Sequence, residues 1–208
     1  MKALAEFAMR GRFQALLITV IGAGSLLFSP ISAAVLALVT LRKGVGEGAW
    51  LLFWALLPAG SLVYLYGDSG PLSLLLAVMV LALVLRNTVN LPLAVLVCVP
   101  VGATIGLAMV VFAGAYLDQI AAYFGEFLAT LEQQLSQGDQ NVVLARPTPV
   151  QIAGMLGAGT AMTAVLCLLL ARYWQAALYN PGGFGEEFRQ LYYSPMVAVA
   201  LAPVSYTH

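Results

Sequence analysis

Long apolar stretches separated by short polar breaks make up most of the chain. A helix that crosses a bilayer needs about 20 apolar residues, and four stretches meet or approach that length. Gly48 to Tyr66 carries Trp50 and Trp54 near one end and Tyr64 and Tyr66 at the other, the pattern of an interfacial aromatic belt. Pro71 to Leu85 is a second, shorter stretch. Leu91 to Leu117 is a third, which Pro100 should kink. Val150 to Ala171 is a fourth, and Arg172-Tyr173-Trp174 would follow it at the membrane interface.

Phe13 to Leu41 admits two readings, because Ser29-Pro30 interrupts it. Ser29 can serve as an N-cap with Pro30 at the first helical position, which gives a short hairpin of two helices. At 1.5 Å per residue these would be about 24 Å and 18 Å long, both short of a hydrocarbon core of about 30 Å. One long tilted helix is the rival. Charge separates the two. With a hairpin and a cytoplasmic N-terminus, Lys2, Arg10, Arg12, Arg42, Lys43, Arg86, Arg172 and Arg189 share the cytoplasmic side, and only Arg146 lies outside. A single span instead divides the nine basic residues four to five. Basic residues concentrate on the cytoplasmic side, so the hairpin is favoured. Its short arms imply a tip packed among other helices, since non-helical backbone at depth is tolerated where protein buries it or a water-filled cavity adjoins it.

The same topology puts Asp118 to Thr148 outside. Ile120, Phe124, Phe127, Leu128, Leu131 and Leu135 recur there at helical spacing, which predicts an external amphipathic helix ended by Ser136-Gln137-Gly138-Asp139. The expected fold class is therefore all-α: a polytopic transmembrane helix bundle of about six membrane segments, including the short N-terminal hairpin. No internal repeat stands out. Residues 1–203 read as a single integral membrane domain.

Composition narrows the functions. The chain is 62% hydrophobic and 9% charged, against about 25% charged in soluble domains. Net charge is zero, so no electrostatic footprint for nucleic acid exists. The N-terminal charges resemble those of a signal peptide, but no small-residue cleavage site follows, so the first run reads as a retained membrane segment. Cys98 and Cys167 lie in apolar runs, with no metal or redox spacing. No Walker A loop or HExxH motif is present, and no chain of Asp, Glu and His runs through the spans. No nucleophile–base pair or carboxylate pair is visible in the spans either. No catalytic residue, metal or cofactor is assigned, and the expectation is a non-enzyme. Val204-Ser205-Tyr206-Thr207-His208 matches one frame of a transposon-type sequencing adapter, and an apolar run from Met196 stops there. These five residues are read as an artefact on a C-terminally truncated chain, and His208, the one histidine, receives no role.

Three features carry candidate function. Gly102 and Gly106, with Ala153, Gly157 and Ala161 four apart on another span, allow close helix packing. Arg86 ends an apolar run. It can reach headgroups or, if deeper, hold an anionic substrate. Asn180-Pro181-Gly182-Gly183-Phe184-Gly185-Glu186-Glu187-Phe188-Arg189 is strong turn chemistry, followed by the start of a short helix. It reads as a tight cytoplasmic connection or as a partner-docking loop, with Asn180, Pro181, Gly182, Gly183, Phe184, Glu186, Glu187 and Arg189 as the docking residues.

The run Ala171 to Phe184 through Glu187-Phe188, with Gly11-Arg12-Phe13-Gln14-Ala15 and Leu38-Val39-Thr40-Leu41-Arg42-Lys43-Gly44, resembles the YybS-like family of bacterial membrane proteins in a Pseudomonas-like form. The likeness covers nearly the whole chain, and the Asn-Pro-Gly-Gly-Phe block is its most specific part. That family is distantly similar to the substrate-binding S-components of energy-coupling-factor vitamin transporters. The resemblance implies a multi-pass protein of the bacterial inner membrane, a compact bundle that binds a small, vitamin-like molecule and borrows an ATPase module. The expected partners are thus the lipid bilayer and another membrane protein or an ATPase module. The competing expectation is a non-transport scaffold or assembly factor that acts through the cytoplasmic loop.

Overall fold

The computed structural model describes residues 2–135 and 144–192. The expected helix end at residues 136–139, the apolar run from Met196 and the five terminal residues lie outside them. The described residues are helical throughout, in the order α1 (Lys2–Arg10), α2 (Arg12–Ala23), α3 (Ser29–Lys43), α4 (Val45–Tyr66), α5 (Gly70–Thr88), α6 (Leu91–Leu96), α7 (Cys98–Phe112), α8 (Gly114–Leu135), α9 (Pro149–Tyr179) and α10 (Gly183–Arg189). Four helical stretches are long and apolar enough to cross a membrane: α4, α5, the α6–α7 pair and α9. The chain is a helical membrane protein.

Phe13 to Leu41 forms two helices, not one. The turn between them exposes Leu26, Leu27 and Phe28, an apolar tip. Ser29 is not the N-cap. Phe28 occupies that position, and Ser29 is the first helical residue, its hydroxyl donating to the Leu26 carbonyl at 3.1 Å. Pro30 still sits in the first turn, where its missing N–H costs no helical hydrogen bond.

The centre of the bundle is α3. Every residue from Ser32 to Thr40 is buried, under cover from α2, α4, α5 and α9. A helix that is apolar all round belongs inside, and Ala33, Ala34 and Ala37 let its neighbours approach closely. Two of its polar residues are satisfied locally. Ser32 donates across the hairpin to the Thr19 carbonyl of α2 at 2.7 Å, and Thr40 donates to the Leu36 carbonyl at 2.8 Å. Gly48 of α4 lies against Thr40, where a Cβ would collide with the threonine side chain.

Several boundaries differ from the sequence reading, each for a local reason. The Leu91–Leu117 stretch is broken twice. Pro100 cannot donate to the Leu96 carbonyl four residues back, and the break falls between them, at Val97. A second break at Ala113 hands Gly114 to Leu117 to α8, which therefore begins before Asp118. α5 is longer than Pro71–Leu85, since Arg86, Asn87 and Thr88 complete its last turn. α9 runs well past Ala171 to Tyr179, 31 residues in all, about 46 Å at 1.5 Å per residue. It starts from a capping box, in which Thr148 and Gln151 each bond the other's backbone N–H. The Trp174 side chain faces protein and not the bilayer. It is fully buried in the same core cluster as Ala5 and Ala8 of α1, a helix the apolar pattern did not predict.

Candidate functional site

The contacts sort the charges by end. Arg12 pairs with Glu47 at the start of α4, with Nε 2.8 Å from Oε2. Arg86 Nη1 donates to the Thr40 and Leu41 carbonyls at 3.0 and 2.7 Å. Arg42 stacks over the Tyr179 ring at 4.1 Å, and Arg172 pairs with Glu187 at 2.6 Å. These bonds tie the start of α2 and the ends of α3, α5 and α9 to one end of the bundle. Arg146 sits apart from this set, 3.6 Å from Glu132.

Arg86 therefore occupies a defined place. It caps the C-terminus of α3, where orphan carbonyls and the negative end of the helix dipole both favour a cation. Its Nε and Nη2 have no acceptor among the described residues.

The Asn180–Arg189 segment folds over the end of α9. Asn180 is the C-cap of α9, Pro181 lies in the turn, and Gly182 takes φ 93°, a left-handed conformation open to glycine at little cost. Phe184 packs edge-on against Tyr173, with ring centroids 6.0 Å apart, and Glu187 is held by Arg172. Glu186 and Phe188 are exposed, and Arg189 folds back onto the Gly185 carbonyl at 3.1 Å. Not one residue of α10 is buried.

Gly102, Gly106, Ala153, Gly157 and Ala161 meet along the α7–α9 contact. A Cβ built at Gly102 would lie 2.9 Å from the Ala161 Cβ, one at Gly106 would lie 3.0 Å from the Ala153 carbonyl oxygen, and one at Gly157 would lie 2.9 Å from the Gly106 nitrogen. The two backbones are in direct contact.

The other face of α7 borders a groove that no sequence motif announced. It holds about 710 Å³ between α5 and α7, with the end of α4 at its rim. Leu76, Ala77, Val80, Val101 and Ala108 line it with apolar surface. At the end remote from the arginines stands Ser69, whose buried hydroxyl oxygen has no hydrogen-bond partner among the described residues. Ser73 and Thr104 also line the groove, but their hydroxyls are spent on the Ser69 and Pro100 carbonyls, at 2.8 and 2.7 Å. Tyr116 stands beside Gly67 at the rim. Burial, and then the charge of Asp68, push its phenol above the ordinary tyrosine range, so it stays protonated and able to donate.

Sequence reasoning missed Ser69 because one serine in a turn carries no signal until the helices around it are placed. Arg42 entered only as a topological charge, since its stacking on Tyr179 joins residues far apart in the chain.

No family model matches the chain, and neither the curated proteins nor the solved structures contain a significant match to it.

Proposed function

We propose that this protein is a multi-pass component of the bacterial inner membrane, with a cytoplasmic N-terminus, that holds a small amphipathic molecule in the α5–α7 groove. In this reading α2 and α3 form an embedded hairpin, bringing the membrane segments to six, and α8 lies along the external face. The protein serves as the binding or transport subunit of a system whose ATPase is a separate partner. The YybS-like resemblance, with its distant likeness to S-components, points the same way.

The observation that carries the reading is the groove with its unpaired Ser69 hydroxyl. Small-molecule sites are concave spaces of about 300–1,000 Å³, mostly apolar, with few placed polar groups. A buried hydroxyl without a partner costs about 1–3 kcal/mol, a cost that a ligand acceptor at Ser69 removes. The scaffold reading rests on the exposed face of α10, whose adjoining cavity is polar and smaller than the groove, at about 470 Å³.

Purified protein screened by thermal shift against vitamins and amphipathic metabolites should show stabilisation by at least one compound. Ala108→Trp, which fills the groove from an exposed helical position, should abolish that shift while leaving the unliganded protein folded. Failure of every compound to stabilise the native chain, or a shift unaffected by Ala108→Trp, counts against the groove.

A further inference from the structure

At the arginine-rich end, two polar cavities of about 470 and 300 Å³ adjoin each other, sharing Arg172 and Gln175 in their walls. Arg42 lines the first and Arg86 the second, so three guanidinium groups border this pair of adjoining cavities. Their donors are not all used. Arg42 is exposed, and its recorded contact is the Tyr179 ring face, with no carboxylate partner among the described residues. Arg86 spends Nη1 on two carbonyls and keeps Nε and Nη2. Arg172 donates through Nη1 to the Gln175 side-chain oxygen at 2.7 Å, which leaves the Gln175 amide N–H₂ as a further donor.

We propose that this space binds a phosphate group, either the headgroup of an anionic phospholipid or a phosphorylated solute. The site rests on the membrane placement proposed above, with this end cytoplasmic, but not on the α5–α7 groove. Guanidinium forks match the oxygens of a phosphate two at a time, with charge-assisted bonds about twice as strong as neutral ones. The depth also suits a headgroup. At about 46 Å, α9 exceeds a hydrocarbon core of about 30 Å, so its last turns, with Arg172, Gln175 and Tyr179, reach the headgroup layer. Basic pockets between transmembrane helices on the cytoplasmic side are sites for anionic headgroups.

Two carboxylates, Glu186 and Glu187, also line the larger cavity. Glu187 Oε2 lies 3.2 and 2.6 Å from Nε and Nη2 of Arg172, the bidentate position a phosphate would take. An entering phosphate therefore competes with Glu187 for Arg172, which makes two variants move in opposite directions. Arg42→Gln removes a guanidinium that has no recorded role in the fold other than stacking on Tyr179. Glu187→Gln removes the competitor.

The full chain in phosphatidylcholine–detergent micelles would be titrated with phosphatidylglycerol and, separately, with inorganic phosphate, following the thermal shift. Phosphatidylglycerol is expected to stabilise the protein. Arg42→Gln should weaken the apparent affinity about tenfold, the equivalent of one charge-assisted hydrogen bond, and Glu187→Gln should strengthen it several-fold. Stabilisation by inorganic phosphate with the same opposed responses supports the site and identifies a soluble phosphorylated ligand. Stabilisation by neither ligand, or a shift that both variants leave unchanged, overturns the proposal.

Discussion

Leucine in place of Gly157 is expected to force α7 and α9 apart and to destabilise the bundle by about 3 kcal/mol, the upper part of the range for overpacking a close contact. Even a methyl group at Gly157 meets backbone: the Gly106 nitrogen would lie 2.9 Å from the added Cβ, and the Gly102 carbonyl oxygen closer still. Backbone cannot swing aside as a flexible side chain can, so the added bulk must be taken up by movement of a helix. In a bilayer this contact is held by van der Waals packing rather than by exclusion of water, so separation forfeits it outright. Thermal denaturation in detergent would read the loss. Gly154→Ala supplies the control on the same helix. Nothing lies within 4 Å of a Cβ at Gly154, and alanine is the better helix former, so stability should hold or rise.

Arg86→Met should destabilise the fold by about 2 kcal/mol. Methionine preserves most of the aliphatic stem but removes both hydrogen bonds to the Thr40 and Leu41 carbonyls, at 3.0 and 2.7 Å. Bonds from a charged donor contribute about 1.5–3 kcal/mol each. The exposure of Arg86 lets water take up part of that role, which keeps the expected total near the value for one bond. The loss should concentrate at the end of α3, so hydrogen exchange of the α3 C-terminal amides should accelerate more than that of α7. A uniform change along the bundle, or none, contradicts the capping role.

Both effects arise where helices meet, and the two contacts differ in how openly the sequence carried them. The α7–α9 contact lies where glycine and alanine recur at four-residue spacing, because close backbone approach demands small residues on one face. The two-helix reading of Phe13 to Leu41 likewise rested on a physical contrast, Ser-Pro punctuation together with the distribution of arginine and lysine. What escaped had no local signature. α1 contains polar Glu6 and Arg10, and its buried positions are Ala5 and Ala8, residues too small to register as an apolar stripe. Trp174 looked like a belt residue because it follows an arginine at the end of an apolar run. The extension of α9 to Tyr179, and burial in the same core cluster as α1, place it inside instead. The break at Val97 is an effect of Pro100 displaced toward the N-terminus by the hydrogen-bond register. The α5–α7 groove and the cavities around Arg172 are products of packing, and no window of sequence contains them.

The early α2–α3 hairpin returns the chain to the end of the bundle at which it began, and the proposed topology makes that basic end cytoplasmic. Single cysteines at Arg10, Lys43 and Arg146, in a chain with Cys98 and Cys167 replaced by alanine, test it with a membrane-impermeant maleimide. Arg10→Cys and Lys43→Cys should label in inverted membrane vesicles and stay protected in intact spheroplasts, with Arg146→Cys showing the reverse. Labelling of Lys43→Cys from the outside of spheroplasts, while Arg10→Cys labels only from the inside, would contradict the hairpin and the sidedness built on it.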